Sequence, residues 1–308
     1  MYFVARETDQ RVTTLKTIAL SFALFLCLPL LGQVRVSDAT LSLFTGMINY
    51  QGDLKPNSFT FNHSNLAVSV VLRKPINRWL SWRAGASIGQ IEGADRYNRD
   101  YLKPRNLSFY SNIKEVYTGL GVNFLDIEKK WCTPYAFAGI SLFHFNPWTY
   151  DNNNQKIFLK PLSTEGQGLP EYPNKKPYKL TQIALAFGGG FKYAITNYLN
   201  LGIEFSQRKT FTDYLDDVSG YFVDGNILLK ERGQKAVDLS YRADELPDGV
   251  QTYPSEGTQR GTHTEMDWYY FFGVTLEVKI GKIKDIFSGW GKFYSSSYQQ
   301  RCPNNMNF

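Results

Sequence analysis

Residues 199–209 read LNLGIEFSQRK. Leu199, Leu201, Ile203 and Phe205 alternate with Asn200, Gly202, Glu204 and Ser206. A period of two places successive side chains on opposite faces of a β-strand. Such a strand suits a soluble sandwich with its apolar face inward. It equally suits a membrane barrel with its apolar face on lipid. The rest of the chain must decide.

The pattern recurs eight times. The segments are 39–50, 65–73, 80–89, 115–124, 134–145, 183–194, the opening stretch, and 267–281. In the second, Leu66, Val68, Val70 and Leu72 oppose Ala67, Ser69, Val71 and Arg73. In the last, Trp268, Tyr270, Phe272, Val274, Leu276 and Val278 oppose Tyr269, Phe271, Gly273, Thr275, Glu277 and Lys279. The fifth is ambiguous, because both faces of PYAFAGISLFHF carry apolar residues.

The polar faces are rich in Gly, Ala and Ser, with isolated charges of both signs between them. A sheet surface in water is denser in Lys, Glu and Thr. Small residues with scattered ions suit the inside of a narrow barrel, where eight strands leave just enough room for side chains. Buried ions must be paired. The candidate luminal charges are Arg73, Arg83, Lys192 and Lys279, facing Glu115, Glu204 and Glu277.

The connections discriminate further. Those at 74–77, 125–133 and 195–198 are short; those at 51–64, 90–114, 146–182 and 207–266 are long. Strict alternation of tight turns and large loops is the plan of an outer-membrane barrel. The expected fold is therefore an all-β, eight-stranded, antiparallel, up-and-down transmembrane barrel over residues 33–281. Short turns and both termini belong in the periplasm, and long loops form an external cap. Trp79, Trp82, Trp131, Trp268 and Tyr269 fall near strand ends, where amphipathic rings favour the membrane interface.

Composition agrees. Aromatics make up 16% of the 308 residues, with 20 Tyr and 22 Phe. Mean hydropathy is only −0.32, and no apolar run reaches the roughly 20 residues of a spanning helix. Arg6, Arg11 and Lys16 precede the apolar run IALSFALFLCLPLLG, 18–32, which has the length of a signal-peptide core. Residues 1–32 are expected to be removed near Gly32–Gln33. A lipoprotein reading through Cys27 is opposed by bulky Leu26, and a buried N-terminal helix by the lack of an amphipathic pattern. Cleavage removes three basic and two acidic residues and leaves a net charge of +5 from +6. The charge is mild and spread out, so nucleic acid is not implied.

Cys132 and Cys302 survive cleavage, and this topology places both on the periplasmic side. A disulfide between them is one outcome for an exported protein; free or metal-bound thiols are the alternatives. The tail 282–308 is polar and aromatic and suits a periplasmic partner.

Motifs for chemistry are sparse. His63, His144 and His263 sit in no HExxH or CxxC-type cluster. The expectation is no catalytic residue, no cofactor and no metal site. A hydrolase using His144 or His263 with an Asp at the barrel mouth is the enzymatic rival. The loop TFTDYLDDVSGYFVD, 210–224, holds Asp213, Asp216, Asp217 and Asp224. These could bind Ca²⁺, but capping turns and accepting backbone N–H bonds is preferred. The stretch STEGQGLPEYPNKKPY, 163–178, reads as an ordered irregular loop.

NYQGDL (49–54), YAFAGISLFHFNP (135–147), LSTEGQGLPEYP (162–173), QIALAFGGGFKY (182–193), LGIEFSQRKTFTDYLDDVSGYFVD (201–224) and DWYYFFGVTLEVKIG resemble the PorG-like family. The likeness runs over about residues 36–285, and its most specific block contains Asp213, Tyr214, Asp216, Asp217 and Gly220. The resemblance implies a non-enzymatic outer-membrane barrel of the type IX secretion system. Such a barrel anchors or positions the periplasmic PorK–PorN ring for cargo secretion or gliding. The rivals are a small outer-membrane channel and an external binding or adhesion barrel.

Overall fold

The computed structural model describes residues 39–55, 63–126 and 130–283. The expected signal segment 1–32, Cys302 with its proposed disulfide, and the tail from 284 lie outside the described residues.

Eight long strands form the wall: β1 (Thr40–Gln51), β2 (Asn65–Pro75), β3 (Leu80–Ala94), β4 (Ser108–Asn123), β5 (Cys132–His144), β8 (Thr181–Ala194), β9 (Leu199–Thr210) and β10 (Trp268–Lys279). A small hairpin, β6 (Trp148–Tyr150) and β7 (Lys156–Phe158), joins β4 through a bridge between Tyr110 and Trp148. Each long strand pairs antiparallel with its sequence neighbour in the wall. β10 returns to β1, with Thr40 opposite Lys279 and Gln51 opposite Trp268. The sheet therefore has no free edge, and the fold is a closed eight-stranded barrel.

Side-chain polarity is inverted relative to a soluble protein. Leu66 is 71% exposed, Ile88 60% and Ile203 53% on the outer wall, while Arg83 is 1% exposed inside. A continuous apolar belt around a polar, filled interior is stable only against lipid. No helix of the described residues is long and apolar enough to cross a membrane; the strands do the crossing. The fifth segment resolves cleanly: Tyr135, Phe137, Ser141 and Phe143 point inward, and Ile140 and Leu142 outward.

The short turns are locally coded. Asn77 Oδ1 accepts from the N–H groups of Trp79 and Leu80, both at 2.8 Å. Thr196 Oγ1 does the same for Tyr198 and Leu199 at 3.2 and 3.0 Å. These side chains satisfy the groups that a tight reversal leaves open. Two expectations need adjustment. β3 and β4 extend to Ala94 and back to Ser108, so much of the expected loop 90–114 is strand. Tyr269 is not an interface residue; it is fully buried in the lumen.

The longest loop contains α1 (Gly225–Arg232) and α2 (Gln234–Ser240). Asp224 caps α1, accepting from Asn226 N at 2.7 Å and Ile227 N at 3.1 Å. Gly233 ends it at φ +83°, where a side chain would be strained.

Candidate functional site

Two buried polar assemblies close this barrel, one inside the wall and one in the cap. In the lumen, Glu204 of β9 accepts from Arg73 Nη2 at 3.1 Å, Arg83 Nη2 at 3.1 Å and the Tyr135 hydroxyl at 2.7 Å. Glu277 of β10 binds Arg73, Lys192 Nζ at 3.2 Å and the Thr40 hydroxyl at 3.1 Å. Arg83 also donates to the Tyr117 hydroxyl at 2.7 Å and lies 3.5 Å from the Phe137 ring centre. With Tyr117 on β4, the network ties all eight wall strands together across the bore.

The sequence placed these charges on the correct face but mispaired one. Glu115 meets none of the expected cations. Its partner is Arg208, whose Nε and Nη2 lie 2.9 and 2.6 Å from the carboxylate. Tyr269 donates to the same carboxylate at 2.8 Å. Continuing the Glu204, Ser206 alternation by one step reaches Arg208, so the signal was present. Lys279 sits half-buried at the short-turn rim, on the Glu277 face. A gap of about 10 Å³ beside Tyr117 and Phe271 is the size of roughly one water. The bore is filled.

Above it, the acidic loop folds over the mouth. The Tyr50 hydroxyl lies 2.6 Å from Asp216 Oδ2 and 3.0 Å from Asp267 Oδ1. One phenol proton cannot serve both oxygens, so the second bond forms when a carboxyl carries its own proton. Burial, then Asp53, pushes Asp216 up to about 8. Burial, then Asp216 and Asp213, pushes Asp267 well above the usual carboxylate range. Asp213 is raised to about 9 by burial and then by Asp216. Both its oxygens are buried without a hydrogen-bond partner, which favours the neutral acid.

A second group sits alongside. Glu165 accepts from Ser219 N at 2.9 Å, Gly220 N at 3.0 Å and Arg260 Nη1 at 2.9 Å. Tyr214 reaches it at 3.3 Å. Asp217, at φ +66°, takes the Tyr178 hydroxyl at 2.7 Å and the Thr164 hydroxyl at 2.5 Å. Burial lifts it to about 6, against the Arg260 charge. The turn-capping expectation thus holds for Asp224 and for Asp216, which accepts from Val218 N at 2.9 Å. It fails for Asp217, bound by side chains, and for Asp213, whose buried oxygens cap no backbone N–H among the described residues. Glu165, Arg260, Asp267 and Tyr50 were missed, because nothing local marks them. Among the described residues no three His, Cys, Asp or Glu side chains converge as metal ligands would. His144 lies on the outer wall against Thr181 Oγ1, at 2.9 Å, and among the described residues no hydrogen bond or ion pair joins it to an Asp.

The family model for a domain of unknown function, DUF6089, matches residues 18–222, which is more than half of the chain and spans β1 to β9 with the acidic loop. The chain belongs to the DUF6089 family. Among curated proteins none matches this DUF6089 chain in sequence. Similar solved structures include Neisserial surface protein A (NspA), at 9% identity and a TM-score of 0.39, covering 79% of this chain and 97% of that one. OprG of Pseudomonas aeruginosa follows at 9% and 0.35, covering 78% and 95%. Ail of Yersinia pestis, solved with the heparin analogue sucrose octasulfate, stands at 7% and 0.34, covering 78% and 97%. The barrel of the DUF6089 chain is established by its own strand pairing.

Proposed function

We propose that this protein is a non-enzymatic outer-membrane barrel acting as an anchor for the type IX secretion system, positioning the periplasmic PorK–PorN ring for cargo secretion or gliding. The observation that carries this reading is the filled bore. Arg73, Arg83, Lys192 and Arg208 interlock with Glu115, Glu204 and Glu277, and the acidic loop covers the mouth. A barrel whose described lumen is packed with paired side chains acts through its surfaces. β1 begins and β10 ends at the rim of the short turns, the rim on which this reading sets the partner. The resemblance of the acidic loop block to the PorG-like family supplies the identity of that partner.

The test is photo-crosslinking from the short turns, at Arg78 and Asn197, in intact cells. Ring proteins in the crosslinked product support the anchor. Labelling by extracellular reagents at these positions would reverse the orientation and remove the role. Steady conductance in planar bilayers would favour a channel instead.

One observation favours a second reading, an external binding barrel. A cleft of about 450 Å³ opens in the cap among Tyr101, Phe222, Tyr241, Gln259 and Arg260. Capture of an extracellular ligand that is lost in Tyr241→Ala would support it.

A further inference from the structure

The outer wall is not uniform around its circumference. Toward the long loops, five of the eight wall strands leave the apolar belt through a polar residue: Gln90 on β3, Lys114 on β4, His144 on β5, Thr181 on β8 and Gln207 on β9. In this row two basic side chains stand side by side on β4 and β5, while Lys209 of β9 stands apart against the Trp268 ring. Lys114 and His144 are direct cross-strand partners, and His144 is in turn opposite Thr181. All three are exposed. Thr181 Oγ1 holds His144 Nδ1 at 2.9 Å, which leaves Nε2 for an outside partner. No ion pair within the described residues involves Lys114.

Directly below this pair the wall is hollowed. A groove of about 370 Å³ runs beside Ala86, Val116 and Leu142 and is open at Lys114 and His144. A second, shallow hollow of about 710 Å³ lies further down the same face over Thr118, Ala136 and Ala138. Trp82 stands at its lower end, its Nε1 donating to Thr118 Oγ1 at 3.0 Å. The cause is composition: Ala86 on β3 and Ala136 and Ala138 on β5 are small and lie between larger outward neighbours such as Ile88, Val116, Leu120 and Ile140. A positive head above a long apolar trough matches a lipid whose head carries phosphate and whose chain lies along the wall.

We infer that the β3–β4–β5 face, with Lys114 and His144 at its top, is a specific site for one phosphate-bearing lipid of the leaflet at the long-loop end. The inference rests on the membrane reading of the barrel. Lys114 supplies a full charge, His144 Nε2 a directional donor, and the trough holds the acyl chain.

Native mass spectrometry of the folded barrel in a neutral detergent tests this, with phosphatidic acid as probe and diacylglycerol of the same chains as control. Phosphatidic acid is expected to remain bound one to one, and diacylglycerol is not. Lys114→Gln with His144→Gln should weaken binding at least about tenfold, the scale of two lost charge-assisted bonds. Lys209→Gln, on the same rim but on β9, should leave it unchanged. Ala138→Leu, which fills the trough, should weaken binding with the head intact. Heat-modifiable mobility on gels confirms that each variant is folded. Equal binding by wild type and the Lys114/His144 double variant overturns the site. So does protection by inorganic phosphate alone, because the trough then contributes nothing. A wild-type barrel that stays monomeric without detergent removes the membrane reading itself; one that needs detergent yet ignores phosphatidic acid removes only this site.

Discussion

Arg208 of β9 reaches across the lumen to Glu115 of β4, placing Nη2 2.6 Å and Nε 2.9 Å from the carboxylate oxygens. The strands are not neighbours in the wall; β5 and β8 lie between them. The pair therefore acts as a tie across the bore. Both side chains are almost fully shielded from solvent, at 3% and 0%.

Removing one partner of such a pair should be worse than removing both. Arg208→Leu leaves Glu115 with only the Tyr269 hydroxyl and should lower the unfolding free energy by about 3–5 kcal/mol. Arg208→Met combined with Glu115→Leu removes both charges and their desolvation, and should recover most of that loss. Urea unfolding in detergent, followed by tryptophan fluorescence, measures both. A double variant as unstable as the single one would show that the ionic tie itself holds the barrel closed.

The seam between the first and last strands depends on two glycines. Gly46 and Gly273 face each other across β1 and β10. A Cβ on Gly273 would fall 2.4 Å from the Thr45 carbonyl oxygen, and one on Gly46 2.3 Å from that of Phe272. Backbone atoms cannot step aside as a flexible side chain can. Gly273→Val is expected to yield no compact, heat-modifiable band after refolding. Gly220 contrasts with it. A Cβ there meets only Glu165 Oε2, at an ordinary 3.6 Å, so Gly220→Ala should change stability by less than about 1 kcal/mol. What the acidic loop needs at this position is the N–H group.

The outer belt sets the sign of another substitution. Ile203 stands between Phe191 and Val274 on the wall. Ile203→Arg places a cation in hydrocarbon and should cost about 2–4 kcal/mol if the position is near the midplane. The same exposure in a soluble protein would make the change nearly neutral. Unfolding in lipid bilayers distinguishes these outcomes, and a neutral result would contradict the membrane-spanning fold.

The wall was readable in the sequence because its rules are local. Period-two alternation fixed the facing of Leu201, Ile203 and Glu204, and the spacing of turns fixed the strand count. The fifth segment resisted because Tyr135 and Phe137 are apolar yet inward, where their rings pack against Arg73 and Arg83. The cap was hardly readable. Glu165 and Arg260 are 95 residues apart in the chain, and Tyr50 and Asp267 are 217 apart; no periodicity links such residues. α1 did leave a local mark, an Asp before GNILLKER and a Gly after it, the usual boundary residues of a helix.

Those distant carboxyls should make the cap sensitive to pH. In an unfolded chain Asp213 and Asp216 release their protons near the ordinary carboxylate value of about 4. In the fold they hold them to about 9 and about 8. Between these limits the folded cap binds more protons than the unfolded one, so its stability falls as pH rises. The contribution is complete below about pH 4 and is lost as pH passes through about 8 to 9. Cleavage of the 211–267 loop by a broad-specificity protease should therefore be faster at about pH 9 than at about pH 5, after correction with an unstructured peptide. Asp213→Asn keeps the side chain neutral at every pH and should remove part of this slope, making the cap more resistant on the alkaline side. Cleavage that does not vary with pH, or a slope unchanged in Asp213→Asn, would show that the buried acids are already ionised at neutrality and that Asp213 has a partner.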